Sequence, residues 1–505
     1  MNTVRIVCRQ SRLSLLQAEI VKQKIIAAFP DMEVLITGHI SRGDRELDVP
    51  LSSLDGSDFF TKEIFELLRN GNADLAVHSM KDMSADHFFS HDAFAVPVRD
   101  DVRDVVIFNT NIEHLLRSGK EIRIGTSSPR REDMAVHFLK KGLPQLGPAP
   151  DITTCSIRGN VESRLRQLDE GKFDGTILAT AGLNRLLRGP DHRVVSGLLS
   201  GKPMMILPLV ECVPAPCQGA ILVEADPANK LLRHVLEAIN DLPAWKAAVQ
   251  EKQWGQTYGR GCLQRFGVTT IRTGGREWMY AGGTDEHGKE FSDWQGLPVK
   301  QAGVLFSSTE HMRSFFSYEW KEKLDPVNTP AVFVANYKIL QHPQAKALLE
   351  RSQIWASGTK TWFELSKKGY WVKGSADALG YENMLEAMTM PLVGLEEDQI
   401  TILTHAEAAQ RWSARGRNAV SIYRLIPSSD QDLANLIAKA DQVFWTSYSQ
   451  YAAFGRYCRP DVVHMACAGE TANLLMADGI EPVIFPTIKA FQQWSRSTIL
   501  QHNEG

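Results

Sequence analysis

The residue best suited to covalent chemistry in this chain is Cys262, in the turn Thr257-Tyr-Gly-Arg-Gly-Cys-Leu-Gln-Arg-Phe-Gly267. Arg260 and Arg265 stand close by, and positive neighbours lower a thiol pKa and enlarge its thiolate fraction. Most cysteines are small buried hydrophobes; Cys155 and Cys467, inside apolar runs, read that way. Ahead of Cys262 lie several loops where a strand hands over to a helix: Arg9-Gln-Ser11, Gly125-Thr-Ser-Ser-Pro-Arg-Arg131, Ser156-Ile-Arg-Gly-Asn160 with Arg164 beyond it, and Thr180-Ala-Gly-Leu-Asn-Arg185. Helix starts attract anions, and guanidinium forks grip carboxylates. Ligands of open α/β sheets also sit at the carboxyl ends of strands. Arg9, Ser11, Ser127, Ser128, Arg130, Arg131, Arg158, Arg164 and Arg185 are therefore candidates to line one carboxylate-binding cleft. Any one of these arginines alone reads as an ordinary surface residue; their recurrence at equivalent junctions favours a site.

Asp82 closes the string His78-Ser-Met-Lys-Asp82. Beside Lys81 and near many arginines it should stay ionised. Such an anion suits stabilising a transient cation or holding a pyrrole-like N–H. The plainer reading is a Lys81–Asp82 pair at a helix start. A nucleophilic thiol facing a basic cleft suggests a protein that grows an acidic chain on itself.

Short apolar runs alternating with helical stretches must position these groups. Strands are expected at Val4–Val7, Glu33–Gly38, Ala73–His78, Ile122–Gly125, Ile152–Ser156 and Gly175–Ala179, with helices at Leu13–Ala28 and Phe60–Asn70; Asp104–Phe108, just past the mixed-charge stretch Arg99-Asp-Asp-Val-Arg-Asp104, reads as a crossover between two lobes. This is the pattern of α/β layers with parallel strands. Ser128 is the expected N-cap of a helix with Pro129 in its first position. From about 220 to 300 one helix, Leu232–Ala248, precedes short strands at Gly267–Arg272, Glu277–Ala281 and Glu290–Trp294, a small α+β unit. Strand-then-helix alternation then resumes. Trp355-Ala-Ser-Gly-Thr-Lys-Thr-Trp362 and Met465-Ala-Cys-Ala-Gly-Glu-Thr-Ala472 look alike, which reads as an internal repeat and two similar lobes.

Net charge is -3, so no global positive field points to nucleic acid. The seven cysteines are scattered and form no CxxC pair, which argues against a disulfide framework and against a zinc site. No apolar run approaches the ~20 residues of a membrane helix. The N-terminus reads as a strand entering the fold, not as a signal peptide. A reducing cytoplasm and a monomer acting on small molecules are expected, with no nucleic acid, membrane or metal.

Taken together, residues 1–300 resemble hydroxymethylbilane synthase (porphobilinogen deaminase). The matching strings are Arg9-Gln-Ser-Arg-Leu-Ser-Leu-Leu-Gln17, Arg42-Gly-Asp44, Phe60-Thr-Lys-Glu63, Ala73 to Asp82, Gly125 to Arg131, Ile157-Arg-Gly-Asn-Val161, Ile177 to Arg185 and Pro214-Ala-Pro-Cys-Gln-Gly-Ala220. The resemblance implies two periplasmic-binding-protein-like (type II) lobes plus a small α+β domain. It implies a dipyrromethane cofactor carried on Cys262 by a thioether, and catalysis by Asp82. Lys81, Ser127, Ser128, Arg130, Arg131 and Arg158 then bind the cofactor, and Arg9, Ser11, Arg164 and Arg185 the substrate. Porphobilinogen would be joined four times into the linear tetrapyrrole hydroxymethylbilane, with loss of ammonia. The loop Leu54-Asp-Gly-Ser-Asp-Phe-Phe60 lacks the lysine usual in that family.

Residues 299–505 are similar to uroporphyrinogen-III synthase, through Ala356-Ser-Gly-Thr-Lys-Thr361, Ile402-Leu-Thr-His405, Val420-Ser-Ile-Tyr-Arg424, Val443-Phe-Trp-Thr-Ser-Tyr-Ser449 and Ala468-Gly-Glu-Thr-Ala472. That likeness implies a bilobal α/β region with a two-stranded linker. Thr446, Ser447, Ser449 and Thr471 would be its substrate contacts, and Tyr451 lies near the place of a proton donor. The expected domains are 1–97 with about 197–217, 98–196, 218–298 and 299–505. Two other readings remain. A solute receptor or regulator of type II fold would need an export signal or a DNA-binding helix pair. A deaminase with an inactive C-terminal region would differ in product.

Overall fold

The computed structural model describes residues 3–40, 62–84, 89–259, 264–300, 302–312, 314–324 and 327–502. Cys262, Arg260, Arg42-Gly-Asp44 and the loop at 54–60 lie outside the described residues.

The first ten strands sort into two sheets. They are β1 (Thr3–Arg9), β2 (Glu33–His39), β3 (Leu75–Ser79), β4 (Phe94–Arg99), β5 (Asp104–Phe108), β6 (Ile122–Gly125), β7 (Ile152–Cys155), β8 (Gly175–Ala179), β9 (Met204–Ile206) and β10 (Ala220–Ala225). The sheet orders are β2-β1-β3-β10-β4 and β7-β6-β8-β5-β9. The chain leaves the first lobe after β4, enters the second through β5 and returns through β10. Each crossing strand runs antiparallel to both its neighbours. Two lobes with the same strand order, exchanged through two crossovers, form the expected type II arrangement. The apolar runs are buried as expected: Val4, Ile6, Val105, Val106, Ile124 and Ile177 are each 1% exposed or less.

The boundaries differ from expectation in two places. Met204–Ile206, assigned with 197–217 to the first lobe, pairs with β5 in the second. Ala220–Ala225, assigned to the third domain, completes the first sheet between β3 and β4. Helix Leu232–Ala248 is two helices, Lys230–Ile239 and Leu242–Gly255. The break has a local cause. Asn240 turns its side chain to the backbone N–H of Val96, and Asp241 caps the next helix by accepting from Ala244 N, with Pro243 in its first turn.

The third domain is an antiparallel sheet of β11 (Arg265–Thr273), β12 (Arg276–Thr284) and β13 (Glu290–Gln295). Its first hairpin turns at Gly274-Gly275, both at positive φ (57° and 72°), the backbone a tight two-residue turn demands.

Beyond it come β14 (Leu305–Ser307), β15 (Phe316–Trp320), β16 (Ala331–Val334), β17 (Gln353–Ala356), β18 (Val372–Ser375), β19 (Ile400–His405), β20 (Ala419–Pro427), β21 (Gln442–Trp445), β22 (Val463–Cys467) and β23 (Val483–Phe485). They form a six-stranded sheet, β15-β20-β19-β16-β17-β18, and a four-stranded parallel sheet, β14-β21-β22-β23. β15 carries the chain out of the smaller lobe and β20 carries it back; the two pair antiparallel. The two similar strings occupy equivalent places. β17 leads into helix Thr359–Ser366 and β22 into helix Glu470–Ala477.

The C-terminal region is packed onto the second lobe, not tethered loosely beside it. Phe138, Leu139 and Leu143 share one buried cluster with Trp362 and Leu365. Trp362 Nε1 and Ser366 Oγ both donate to the Gly142 carbonyl, at 2.9 and 2.8 Å. That carbonyl ends helix Pro129–Gly142 and would otherwise lack an intrahelical partner. The β11–β12 hairpin is tied to the six-stranded lobe by Thr273 Oγ1 donating to Leu379 O and Asn383 Nδ2 donating to Arg272 O.

Candidate active site

The cleft between the first two lobes is built from the ends of their strands. β3 stops at Ser79, and one tight turn, Met80–Asp82, presents Lys81 and Asp82. Met80 is fully buried and pins that turn, while Asp82 is exposed. Gln17 Nε2 donates to Ser79 Oγ at 3.1 Å and fixes the strand end against helix Arg12–Ala28. Ser11 caps that helix by accepting from Ser14 N, and Arg9 ends β1 beside it.

The opposite wall starts at β6. Ser128 caps helix Pro129–Gly142 through its backbone and makes no side-chain capping bond. Ser127 instead latches two loops. Its hydroxyl donates to Ile157 O at 2.7 Å and accepts from Ile157 N at 2.9 Å. Asn160 caps helix Val161–Asp169, and Arg164 Nε reaches back to Gly159 O at 2.9 Å.

The arginines divide into two groups. Arg130 and Arg131 turn inward, onto Asp104 at the start of β5. Arg130 donates to Asp104 at 2.8 Å, and Arg131 at 2.7 and 3.2 Å. Gln218, on the returning crossover, donates to the same carboxylate at 2.9 Å. Arg130 also holds Val213 O and Arg131 holds Ile177 O. These two guanidiniums are buried and committed to these partners, and are not a free lining. Arg185 is likewise committed. It binds Asp100 at 2.7 Å and the Gly219 carbonyl at 2.5 Å, clasping the two crossovers. Sequence reasoning missed Asp104 as part of the site: its arginine partners lie 26 and 27 residues away and Gln218 lies 114 away.

Arg158 and Arg164 make up the second group, with Lys81 and Asp82 opposite. Arg164 is pushed down to about 10, first by burial and then by the charges of Arg131 and Arg158, with Asp82 opposing. Lys81 is lowered by burial first, with Asp82 and Asp104 opposing and Arg131 and Arg130 assisting. Asp82 and Arg131 act on both Lys81 and Arg164, which places these four groups, with Arg158 beside Arg164, in one neighbourhood. Crowded cations with depressed pKa values favour an anionic ligand. A dipyrromethane with its carboxylate side chains fits such a donor set.

Asp104 shows the opposite balance. Burial alone would raise its carboxyl, but Arg131 and Arg130 more than offset that and hold it well below the aspartate range. Its contribution to stability is thus complete above an ordinary aspartate value of ~4 and is lost as pH falls through the lower folded value. Asp104→Ala should cost about 3–5 kcal/mol by stranding two buried guanidiniums. An earlier urea transition of the deaminase lobes would show it, and a cost below about 1 kcal/mol would refute it.

Burial pushes up every described thiol: Cys8 and Cys217 to about 12, Cys458 to about 11, and Cys155, Cys212 and Cys467 in the same direction. None of them competes as a nucleophile. Arg265, three residues after Cys262 in the sequence, binds Asp133 at 3.0 Å on the helix that carries Arg130 and Arg131.

Residues 4–234 match the family model described as porphobilinogen deaminase, dipyromethane cofactor binding domain. The porphobilinogen deaminase of Thiobacillus denitrificans is 35% identical over 278 residues, which is 55% of this chain and 83% of that protein. The chain belongs to the porphobilinogen deaminase family. Among solved structures, the LysR family regulator HinK from Pseudomonas aeruginosa aligns at 14% identity and TM-score 0.26, over 47% of this chain and 68% of that one. A glutathione-import structure from Streptococcus mutans aligns at 11% identity and TM-score 0.26, over 52% and 98%. Likeness at that level leaves the fold to be read from strand order itself. No helix among the described residues is long and apolar enough to cross a membrane, and none of their side chains forms a metal-binding cluster.

In the C-terminal region the expected contacts also divide. Thr446 Oγ1 donates to Gln450 at 2.8 Å and accepts from Ser308 at 3.2 Å. Ser447 forms a capping box with Gln450. Both hydroxyls hold the turn after β21. Ser449 faces the other lobe, 3.3 Å from His405. Thr471 lies half-buried in helix Glu470–Ala477. Tyr451 is half-buried, its ring edge-on to His464 and Trp445.

Proposed function

We propose that the first 298 residues form a hydroxymethylbilane synthase and that the rest converts its product to uroporphyrinogen III. The observation that carries the first half is the placement of Asp82 among Lys81, Arg158 and Arg164 at facing strand ends, in a chain of this family. Loss of ammonia from porphobilinogen leaves an electrophilic azafulvene. Asp82 stabilises its positive charge and accepts from pyrrole N–H groups. Arg158, Arg164, Lys81 and Arg9 take the acetate and propionate groups that every ring brings. The hydroxyls of Ser11 and Ser128 add hydrogen bonds at the two helix starts. Arg130 and Arg131 supply positive potential from below while Asp104 keeps them in register. Ser127 holds the Arg158 loop in place. Arg185 keeps the crossovers at fixed separation and acts on the substrate only through that geometry. When bound through Cys262, the dipyrromethane supplies the free α-carbon to which rings are added.

For the C-terminal half the support is the bilobal architecture, the paired crossover strands β15 and β20, and a polar junction between the lobes. A linear tetrapyrrole released nearby would meet a second site at high effective concentration. The internal engagement of Thr446 and Ser447 favours one rival, a C-terminal region kept for support alone. Feeding porphobilinogen to the purified chain and resolving the isomers decides between them. Type III product is expected. Type I product alone would leave a deaminase without a cyclase, and no tetrapyrrole at all would remove both.

A further inference from the structure

Three side chains at the junction of the C-terminal lobes form a connected line. Glu407 Oε2 lies 2.9 Å from His405 Nδ1, and His405 Nε2 lies 3.3 Å from Ser449 Oγ. His405 ends β19 in the six-stranded lobe; Ser449 follows β21 in the four-stranded lobe, in helix Tyr448–Phe454. The line therefore crosses from one lobe to the other, at the carboxyl ends of parallel strands in both, where open α/β sheets bind ligands. The carboxylate at Nδ1 selects the tautomer that keeps a proton there, leaving Nε2 to accept from the serine hydroxyl. His405 keeps 15% of its side chain exposed, so a molecule in the junction can touch it.

Charged groups surround this line. Arg411, on helix Ala406–Ala414, and Arg415, its C-cap, reach Glu470 across the junction at 3.8 and 2.7 Å. The Arg411 guanidinium lies 5.5 Å over the ring of Tyr448. Tyr423 stacks obliquely on His405, and Arg424 acts on Glu407. Burial lowers His405 while Glu407 opposes that shift and Arg411 assists it. A polycarboxylate ligand would favour its charged form again.

We propose that His405, oriented by Glu407 and hydrogen-bonded to Ser449, is the proton-transfer residue of this junction, acting on a linear tetrapyrrole that ends in a hydroxymethyl group. The assignment rests on the cyclase reading above. The imidazolium gives its Nε2 proton to the hydroxymethyl oxygen. The C–O bond breaks with its electron pair on oxygen, water leaves, and the pyrrole nitrogen lone pair completes the azafulvenium. The substituted α-carbon of the terminal ring attacks this azafulvenium and forms a spiro centre; its bond to the old methylene bridge then breaks with the electron pair returning to that ring, leaving an azafulvenium on the neighbouring ring. The unsubstituted α-carbon of the now inverted ring attacks the freed methylene and loses its hydrogen as a proton to the neutral His405. The residue is restored, and one water is the net by-product.

The full chain is tested with hydroxymethylbilane generated in place from porphobilinogen. Type III product from the unaltered chain comes first; type I alone ends both the cyclase reading and this assignment. Given type III product, His405→Gln should lower the kcat of cyclisation by about 100-fold or more. Its KM should stay within about two-fold, since a group acting only in the transition state leaves ground-state binding alone. Porphobilinogen consumption in the same sample reports that the variant is folded. Glu407→Gln removes the carboxylate that favours the imidazolium, so the alkaline limb of the cyclisation profile should move to lower pH. Undiminished type III formation by His405→Gln would overturn the assignment while leaving the cyclase reading intact. So would a loss confined to KM, or a Glu407→Gln profile that superimposes on the original.

Discussion

Replacing Asp82 with asparagine is expected to cut porphobilinogen turnover about 1000-fold, the loss typical of removing one preorganised electrostatic partner. The substitution preserves volume and one acceptor oxygen, and it removes only charge. Asp82 is exposed at the end of a one-turn helix anchored by Met80, so stability should change little. What changes is the balance around it. Lys81 and Arg164 both feel the Asp82 charge, and the remaining groups in that field are mostly cations. A positive intermediate would then develop without its counter-charge. The variant should still carry its two-ring adduct or trap longer chains, visible as added mass, while ammonia release collapses. Full activity in Asp82→Asn would remove this role.

The second large effect is expected at Cys262. Cys262→Ser should bring the intact mass down to that of the bare polypeptide and reduce tetrapyrrole formation to background. Serine is close in size but a far weaker nucleophile at neutral pH. Every described thiol is pushed up by burial, which leaves no ready substitute. Arg265, two residues past Leu263, is tied to Asp133 on helix Pro129–Gly142, the helix that carries Arg130 and Arg131. An adduct persisting in Cys262→Ser would place the attachment elsewhere. So would an unaltered chain, made in haem-producing cells, that weighs no more than its polypeptide.

The legible parts of the fold were those with local causes. β1, β3, β6 and β8 are short apolar runs, and the Ser-Pro start of helix Pro129–Gly142 announces itself. The third-domain hairpin was readable from its paired glycines. β10 was missed because a buried strand returning after a long excursion looks like any apolar run; only its antiparallel partners β3 and β4 assign it. The split at Asn240–Asp241 was marked by a cap followed by proline, but the apolar spacing of Leu232, Val235, Leu236 and Ile239 continued persuasively into the next helix.

The site was legible as a set of residue types and illegible as a set of partners. Nothing in Arg130-Arg131 says that Asp104 waits beneath them, or that Arg185 would be taken by Asp100. A guanidinium at a strand end has the same sequence signature whether it faces open water or a buried carboxylate. The same holds for His405, quoted in a motif but joined to Ser449 only by the approach of two lobes.

The contact of Trp362 and Ser366 with the end of helix Pro129–Gly142 has a consequence for how separable the two halves are. Burying large apolar side chains is worth about 1.5–3 kcal/mol each, and here part of that gain comes from residues in the second lobe and residues beyond position 299 packing together. Severing the polypeptide near residue 299 would lay bare an oily scar around Phe138 and Leu139. The front unit could then not be lifted out as a ready-made separate protein without repainting that face.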